Sequence, residues 1–133
     1  MQESYMENWK DIPGWEEYYE VSDLGNVRSK VRKLKNNIAI RSYGGKEVKS
    51  FLKPNGYMFV NLTTSNLRKQ VSVHTLVLTA FIGERPKDYD ACHYNGIRTD
   101  NRLINLRWDT RKSNHADRIR YLNVSKQKAA RNC

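Results

Sequence analysis

Residues 91–115 read ACHYNGIRTDNRLINLRWDTRKSNH, and this stretch decides the fold. Ala91-Cys92-His93 is a short strand candidate. Asn95-Gly96 follows it and is the strongest two-residue turn signal in the chain, because both residues tolerate positive φ. Asn101 and Asn105 come next, with Leu106 and Trp108 as core anchors. Asp109 or Thr110 is placed to cap a helix that runs to about Tyr121. Asn114 and His115 would lie on that helix. A strand and a helix packed together can aim His93 and Asn114 at one point.

Upstream of this stretch the hydrophobic period is helical. Val73, Leu76, Val77, Ala80 and Phe81 share one face, which predicts a short helix over 74–82 packed on a sheet. Gly83 and Pro86 end it. His74 opens that helix on an apolar segment and reads as a packing or capping residue. Residues 9–62 read as short strands. Tyr18 to Val21 is closed by the turn Asp23-Leu24-Gly25-Asn26. Residues 27–32 alternate Val, Ser and Val with Arg28, Lys30 and Arg32, so one face packs and the other is basic. That basic face is either an edge guarded by charge or a surface laid against phosphates. Lys35 to Glu47 reads as a loop. Val48 to Leu52 and Tyr57 to Leu62 are strands around the turn Pro54-Asn55-Gly56. Thr63 to Lys69 is a connection, after which Val71 and Val73 resume a strand. Residues 122–133 are a polar, basic tail.

The charge points to the partner. The 133 residues hold 24 Lys and Arg against 14 Asp and Glu, a net charge of +10. Seven of the acids fall in residues 1–23, where Lys10 is the one base, so the body of the chain is strongly basic. Such a body fits a polyanion, most often nucleic acid. Basic assembly proteins and RNA binders share the composition. Hydrophobic content of 38% predicts a thin core, enlarged by eight Tyr and three Trp. Cys92 and Cys133 are far apart and form no disulfide framework, and no CxxC pair suggests structural zinc. The chain therefore reads as intracellular. No apolar run is long enough to cross a membrane, and no leader is visible.

The spacing Cys92-His93, Asn95-Gly96, Asn101, Asn105-Leu106-Arg107-Trp108, Asn114-His115 resembles the HNH (ββα-metal) nucleases. Two earlier blocks extend the resemblance. Trp9-Lys10-Asp11-Ile12-Pro13-Gly14, Tyr19-Glu20-Val21-Ser22 and Gly25-Asn26-Val27-Arg28-Ser29 are similar to the N-terminal module that accompanies HNH domains in phage homing endonucleases. Val73-His74, Leu76-Val77 and Ala80-Phe81 are similar to the segment just before the HNH motif. Leu122-Asn123-Val124-Ser125-Lys126 resembles the exit from the HNH helix.

The resemblance implies an α+β fold: a small antiparallel β-module with its linking helix over 1–86, a ββα-metal unit over 87–121, and the tail. It implies a metal-dependent DNA endonuclease of the intron-associated nicking type, leaving 5′-phosphate and 3′-hydroxyl ends. His93 would be the general base, Asn105 a brace for the loop, and Asn114 a metal ligand. One divalent ion, Mg or Mn, is implied, with double-stranded DNA as partner and no small-molecule cofactor. A monomer in the cytoplasm of a bacterial host is expected.

The chemistry of these residues agrees. Phosphodiester hydrolysis needs a base for water, a cation for developing charge and a positioned phosphate. An imidazole titrating near neutrality suits the first task. A hard divalent ion needs oxygen ligands, and Asn114 offers a carbonyl. His115 lies about 100° around the helix from Asn114 and reads as surface. Arg98, Arg102, Arg107, Arg111, Lys112 and Arg118 surround the site as phosphate contacts or as a solvated face. Cys92 departs from the family pattern, where Asp or His often stands as the second metal ligand. A thiol suits softer ions than Mg²⁺, and Asp90 on the same strand face is a substitute donor. Cys92 thus favours the rival reading, a DNA-binding protein with a degenerate HNH site.

Overall fold

A computed structural model of the chain describes residues 6–30, 32–35, 40–43 and 45–110. The expected helix to Tyr121 beyond Thr110, the basic tail, and Arg111, Lys112, Asn114, His115 and Arg118 lie outside the described residues.

The class is α+β, as expected: small antiparallel sheets gathered around one helix. The first sheet orders β1 (Trp9–Asp11), β2 (Tyr19–Ser22), β3 (Val27–Ser29) and β6 (Glu47–Val48). Its inward positions are Tyr19, Val21 and Val27, each buried because alternate residues face one side. The second sheet is β7 (Phe51–Leu52), β8 (Met58–Thr63) and β9 (Arg68–Ser72). The Tyr19 hydroxyl ties the two together. It donates to the Thr63 carbonyl at 2.9 Å and accepts from the Thr63 amide at 3.0 Å.

Helix α1 (Val73–Phe81) starts one residue before the predicted helix and buries Val73, His74, Leu76, Val77 and Leu78. Full burial of an aliphatic side chain contributes about 1.5–3 kcal/mol, so this stripe, and not helix propensity, holds nine residues helical. Its last turn closes on Gly83, whose amide bonds the Leu78 carbonyl at φ +134°. The Trp108 indole then donates to the Gly83 carbonyl at 3.0 Å. Trp108 lies on β11 (Leu106–Thr110), which pairs antiparallel with β10 (Tyr89–His93) in register His93↔Leu106. A single turn of 3₁₀ helix, Leu103–Asn105, leads into β11.

Three expectations need correction. Residues 35–47 are not one loop: β4 (Arg32–Lys35) and β5 (Ile40–Tyr43) pair as a hairpin before β6. Backbone pairing there outweighs the Asn and Gly content. Residues 27–32 are not one strand either, because β3 ends at Ser29 and β4 belongs to another sheet. The basic face read there is broken with it. Finally, Val48 to Leu52 is not one strand, because Val48 ends β6 in the first sheet and Phe51–Leu52 is β7 in the second. Asp109 and Thr110 close β11, and the helix they would cap lies outside the described residues. The core is one cluster that takes Ile12, Trp15, Val21 and Val60 from the β-module and Val73, Val77 and Leu106 from the segment that follows.

A buried histidine pair and its loop

β10 delivers His93 to the interior, where the residue is fully buried. The turn after it is tied down by Asn105. The Asn105 side chain accepts from the Asn95 amide at 3.2 Å and donates to Asn95 Oδ1 and to the Asp100 carbonyl, both at 2.9 Å. Its backbone carbonyl also accepts from the Tyr94 amide. This is brace geometry: Asn105 makes the loop and reaches no open space of its own.

The His93 ring has two different edges. Nε2 lies 2.8 Å from Oδ1 of Asn101, itself buried. Oδ1 can only accept, so Nε2 carries the proton and Nδ1 keeps its lone pair. Nδ1 is buried and has no hydrogen-bond partner among the described residues. Burial pushes the His93 pKa below its ordinary value, and Arg98 pushes the same way. The Asn101 bond and the charge of Asp100 push it back up. The result is a neutral imidazole near pH 7 with an unshared basic nitrogen, which is what a general base needs.

No local spacing in the chain signals what covers His93. The His74 ring sits 4.9 Å from it, and Tyr57 stacks on His74 at 4.9 Å while its own ring lies 6.1 Å from His93, so the three rings form one cluster. His74 packs, as read, but it packs against the site. Its Nδ1 likewise has no partner among the described residues. Burial, then the charge of His93, lowers its pKa to about 3.

That value carries a stability consequence. An unfolded His takes up its proton near pH 6.5, whereas folded His74 resists until about 3. The unfolded state therefore binds more protons in this window, and stability falls as pH drops from 6.5 toward 3. The loss attributable to His74 is about 2 kcal/mol between pH 6.5 and 5, at roughly 1.4 kcal/mol per unit. His74→Phe, which keeps a ring in the stack, should lose less stability over that interval than the parent. Equal slopes of melting temperature against pH would refute the shift.

The basic residues divide into two kinds. Arg28 pairs with Glu20 across the β2–β3 register and stacks over Trp9 at 3.7 Å. Lys30 pairs with Asp11. Arg102 grips Asp100 with both nitrogens at 2.7 Å and holds its carboxyl down to about 2. Arg107 pairs with Asp109 and stacks over Tyr94 at 4.6 Å. Arg98 is of the other kind. It donates to the neutral Asn55 carbonyl at 2.6 Å, lies 4.9 Å from the Tyr57 ring, and pairs with no carboxylate among the described residues. It is the described cation whose charge is felt at His93. The Arg32 side chain is outside the described set.

Cys92 is fully buried, with its sulfur 3.2 Å from the Asp90 carbonyl, and it is disulfide-bonded, which corrects the expectation that the cysteines stay unpaired. A role at a metal would need that bond reduced. Among the described residues no three His, Cys, Asp or Glu side chains converge as metal ligands. The described donors alone do not make a site for a hard divalent ion.

Comparison with known proteins finds matches to both segments of the chain. Residues 7–63 match the model of the NUMOD4 motif, and residues 71–116 match a model of the HNH endonucleases. DNA endonuclease I-HmuI of Bacillus phage SP01 is 34% identical over 120 residues, which are 89% of this chain and 62% of that protein. An uncharacterized HNH endonuclease, L245 of Acanthamoeba polyphaga mimivirus, is 36% identical over 76 residues, 56% of this chain and 23% of that one. A solved structure of DNA binding and cleavage by the HNH homing endonuclease I-HmuI superposes with a TM-score of 0.70 at 33% identity. It covers 90% of this chain and 63% of the other. The chain thus spans less than two thirds of the length of these relatives.

Proposed function

We propose that the chain, which matches a model of the HNH endonucleases over residues 71–116 behind a NUMOD4 motif over 7–63, is a metal-dependent DNA endonuclease in which His93 is the general base. The observation that carries this reading is the His93 ring itself. Nε2 is held by Asn101, and Nδ1 is basic, neutral and unpartnered among the described residues.

In this reading Nδ1 takes the proton of a water, whose oxygen attacks the scissile phosphate in line; the P–O3′ bond breaks and the 3′ oxygen takes a proton from solvent, leaving 5′-phosphate and 3′-hydroxyl ends. Arg98 faces the phosphate and spreads its developing charge through the N–H groups that Asn55 does not use. Asn105 keeps the loop in place throughout. A divalent ion, Mg or Mn, would supply charge stabilisation at the leaving oxygen. Asn114 is the oxygen donor assigned to it, and Cys92 would serve only in the reduced form. No step here depends on a ligand set beyond these. The substrate in this reading is DNA in double-stranded form, supported by the relative's structure of DNA binding and cleavage, and the protein acts as a monomer in the cytoplasm of a bacterial host.

The deciding experiment is a plasmid nicking assay across Mg²⁺, Mn²⁺ and EDTA, with and without reductant. Nicking that requires the metal supports the proposal. Tight DNA binding without nicking under every condition supports the second reading, a DNA-binding protein with a degenerate site, which the buried and bonded Cys92 favours.

DNA affinity should fall steeply with salt, because each neutralised phosphate releases a counterion and adds about −0.9 to the slope of log affinity against log salt. Arg98→Ala should make that slope shallower by about 1. Arg28→Ala should change it less, since Arg28 already holds Glu20. A slope unmoved by Arg98→Ala would remove that residue from the phosphate.

A further inference from the structure

The N-terminal module touches the loop that holds His93. The turn Ser22–Asn26 is internally fixed. The Ser22 hydroxyl accepts from the amides of Leu24 and Asn26, and the Ser22 amide donates to the Asn26 carbonyl at 2.8 Å. Asp23 is buried and is held on both carboxylate oxygens by Asn8. This rigid turn docks on residues 101–103. The Leu103 amide donates to the Asp23 carbonyl at 2.8 Å. Gly25, at φ +88°, lies so close that an added Cβ would sit 3.0 Å from both Cβ and O of Asn101. Asn101 in turn holds Nε2 of His93.

We propose that the turn Ser22–Asn26 is a positioning element of the catalytic site, seating Asn101 so that His93 is fixed as the Nε2–H tautomer with Nδ1 free to act as base. The inference rests on the reading of His93 as general base. It gives the N-terminal motif a part in turnover. Asn101 is a positioning residue: its amide oxygen selects which ring nitrogen carries the proton, and that selection decides whether a lone pair is available at Nδ1. Gly25 is required twice over, by its positive φ and by the lack of room for a side chain.

The test uses the whole chain with its histidine rings labelled with ¹⁵N. Ring nitrogen shifts and long-range couplings report the tautomer of His93 directly, without metal or DNA. The parent should show protonated Nε2. Asn101→Leu and Gly25→Ala should give mixed or inverted tautomers. They should lower kcat by about 10- to 100-fold, the usual cost of losing a partner that orients a reacting group, while DNA Kd stays within about twofold. Asn101→Asp keeps an acceptor and should recover the tautomer and most of kcat.

A parent with protonated Nδ1 overturns the proposal even if neither variant folds. So does an Asn101→Leu protein with unchanged kcat, or variants whose loss is all in Kd. Should the parent itself cut no DNA with any metal, the nuclease reading fails, while the tautomer measurement still decides the role of the turn.

Discussion

His93→Ala is expected to slow DNA cleavage by at least ~100-fold while leaving DNA affinity in place, since a general base contributes about 10²–10⁴ to rate. The residue is fully buried, so the substitution also opens a space beside His74 and lowers stability. The assay therefore belongs well below the melting temperature of the variant, with folding checked by circular dichroism. Two outcomes separate the causes. A lost base lowers kcat across all temperatures at which the variant is folded. A merely loosened fold recovers its rate on cooling relative to the parent. A folded variant that cuts as fast as the parent would remove His93 from the chemistry, and with it the proposed mechanism. Exogenous imidazole should restore part of the rate, because the vacated volume matches the ring that was removed.

The second large effect is expected at Cys92. The position is fully buried and carries a bonded sulfur. Cys92→Asp would place a carboxylate there without a built partner, at a cost of several kcal/mol. Cys92→Ala, measured alongside, accounts for loss of the sulfur bond. We expect the Asp variant to melt well below the Ala variant. We expect Mg²⁺ neither to restore the melting temperature nor to raise cleavage. If Mg²⁺ restores both, position 92 is a ligand position after all, because only a carboxylate bound to the ion would be relieved of its charge. Differential scanning calorimetry with and without Mg²⁺, at matched reductant, makes the comparison.

Much of the site could be read in the sequence because its determinants are local. The strand before Asn95-Gly96, the loop tied by Asn105 and the helix at Val73–Phe81 each follow from short-range turn chemistry or from apolar spacing. The misreadings of the fold are all of strand pairing. Residues 35–47 carry loop-like Asn and Gly, and the hairpin that forms there depends on register between strands, which composition does not report. Arg28 and Lys30 read as a basic face because their neighbours in sequence are apolar or small. In the fold Glu20 and Asp11 come across from the acid-rich first segment and neutralise them. The contrast between an acidic start and a basic body is thus partly cancelled within the first sheet. His74 and Tyr57 reach His93, and Gly25 reaches Asn101, through packing between elements distant in the chain. Nothing in their local spacing announces it.

The single core shared by both segments constrains how such chains are inherited. Two recognisable motifs lie end to end in the sequence, over 7–63 and 71–116, as though recombination could exchange one and keep the other. Yet Val21 and Val60 from the first share one apolar cluster with Val77 and Leu106 from the second. The clearance at Gly25 is cut to the shape of Asn101 across the same seam. A graft that brought in a foreign first motif would have to match the contour of that cluster and leave the same gap. The seam is therefore a third thing, beside the two motifs, that any such exchange has to reproduce.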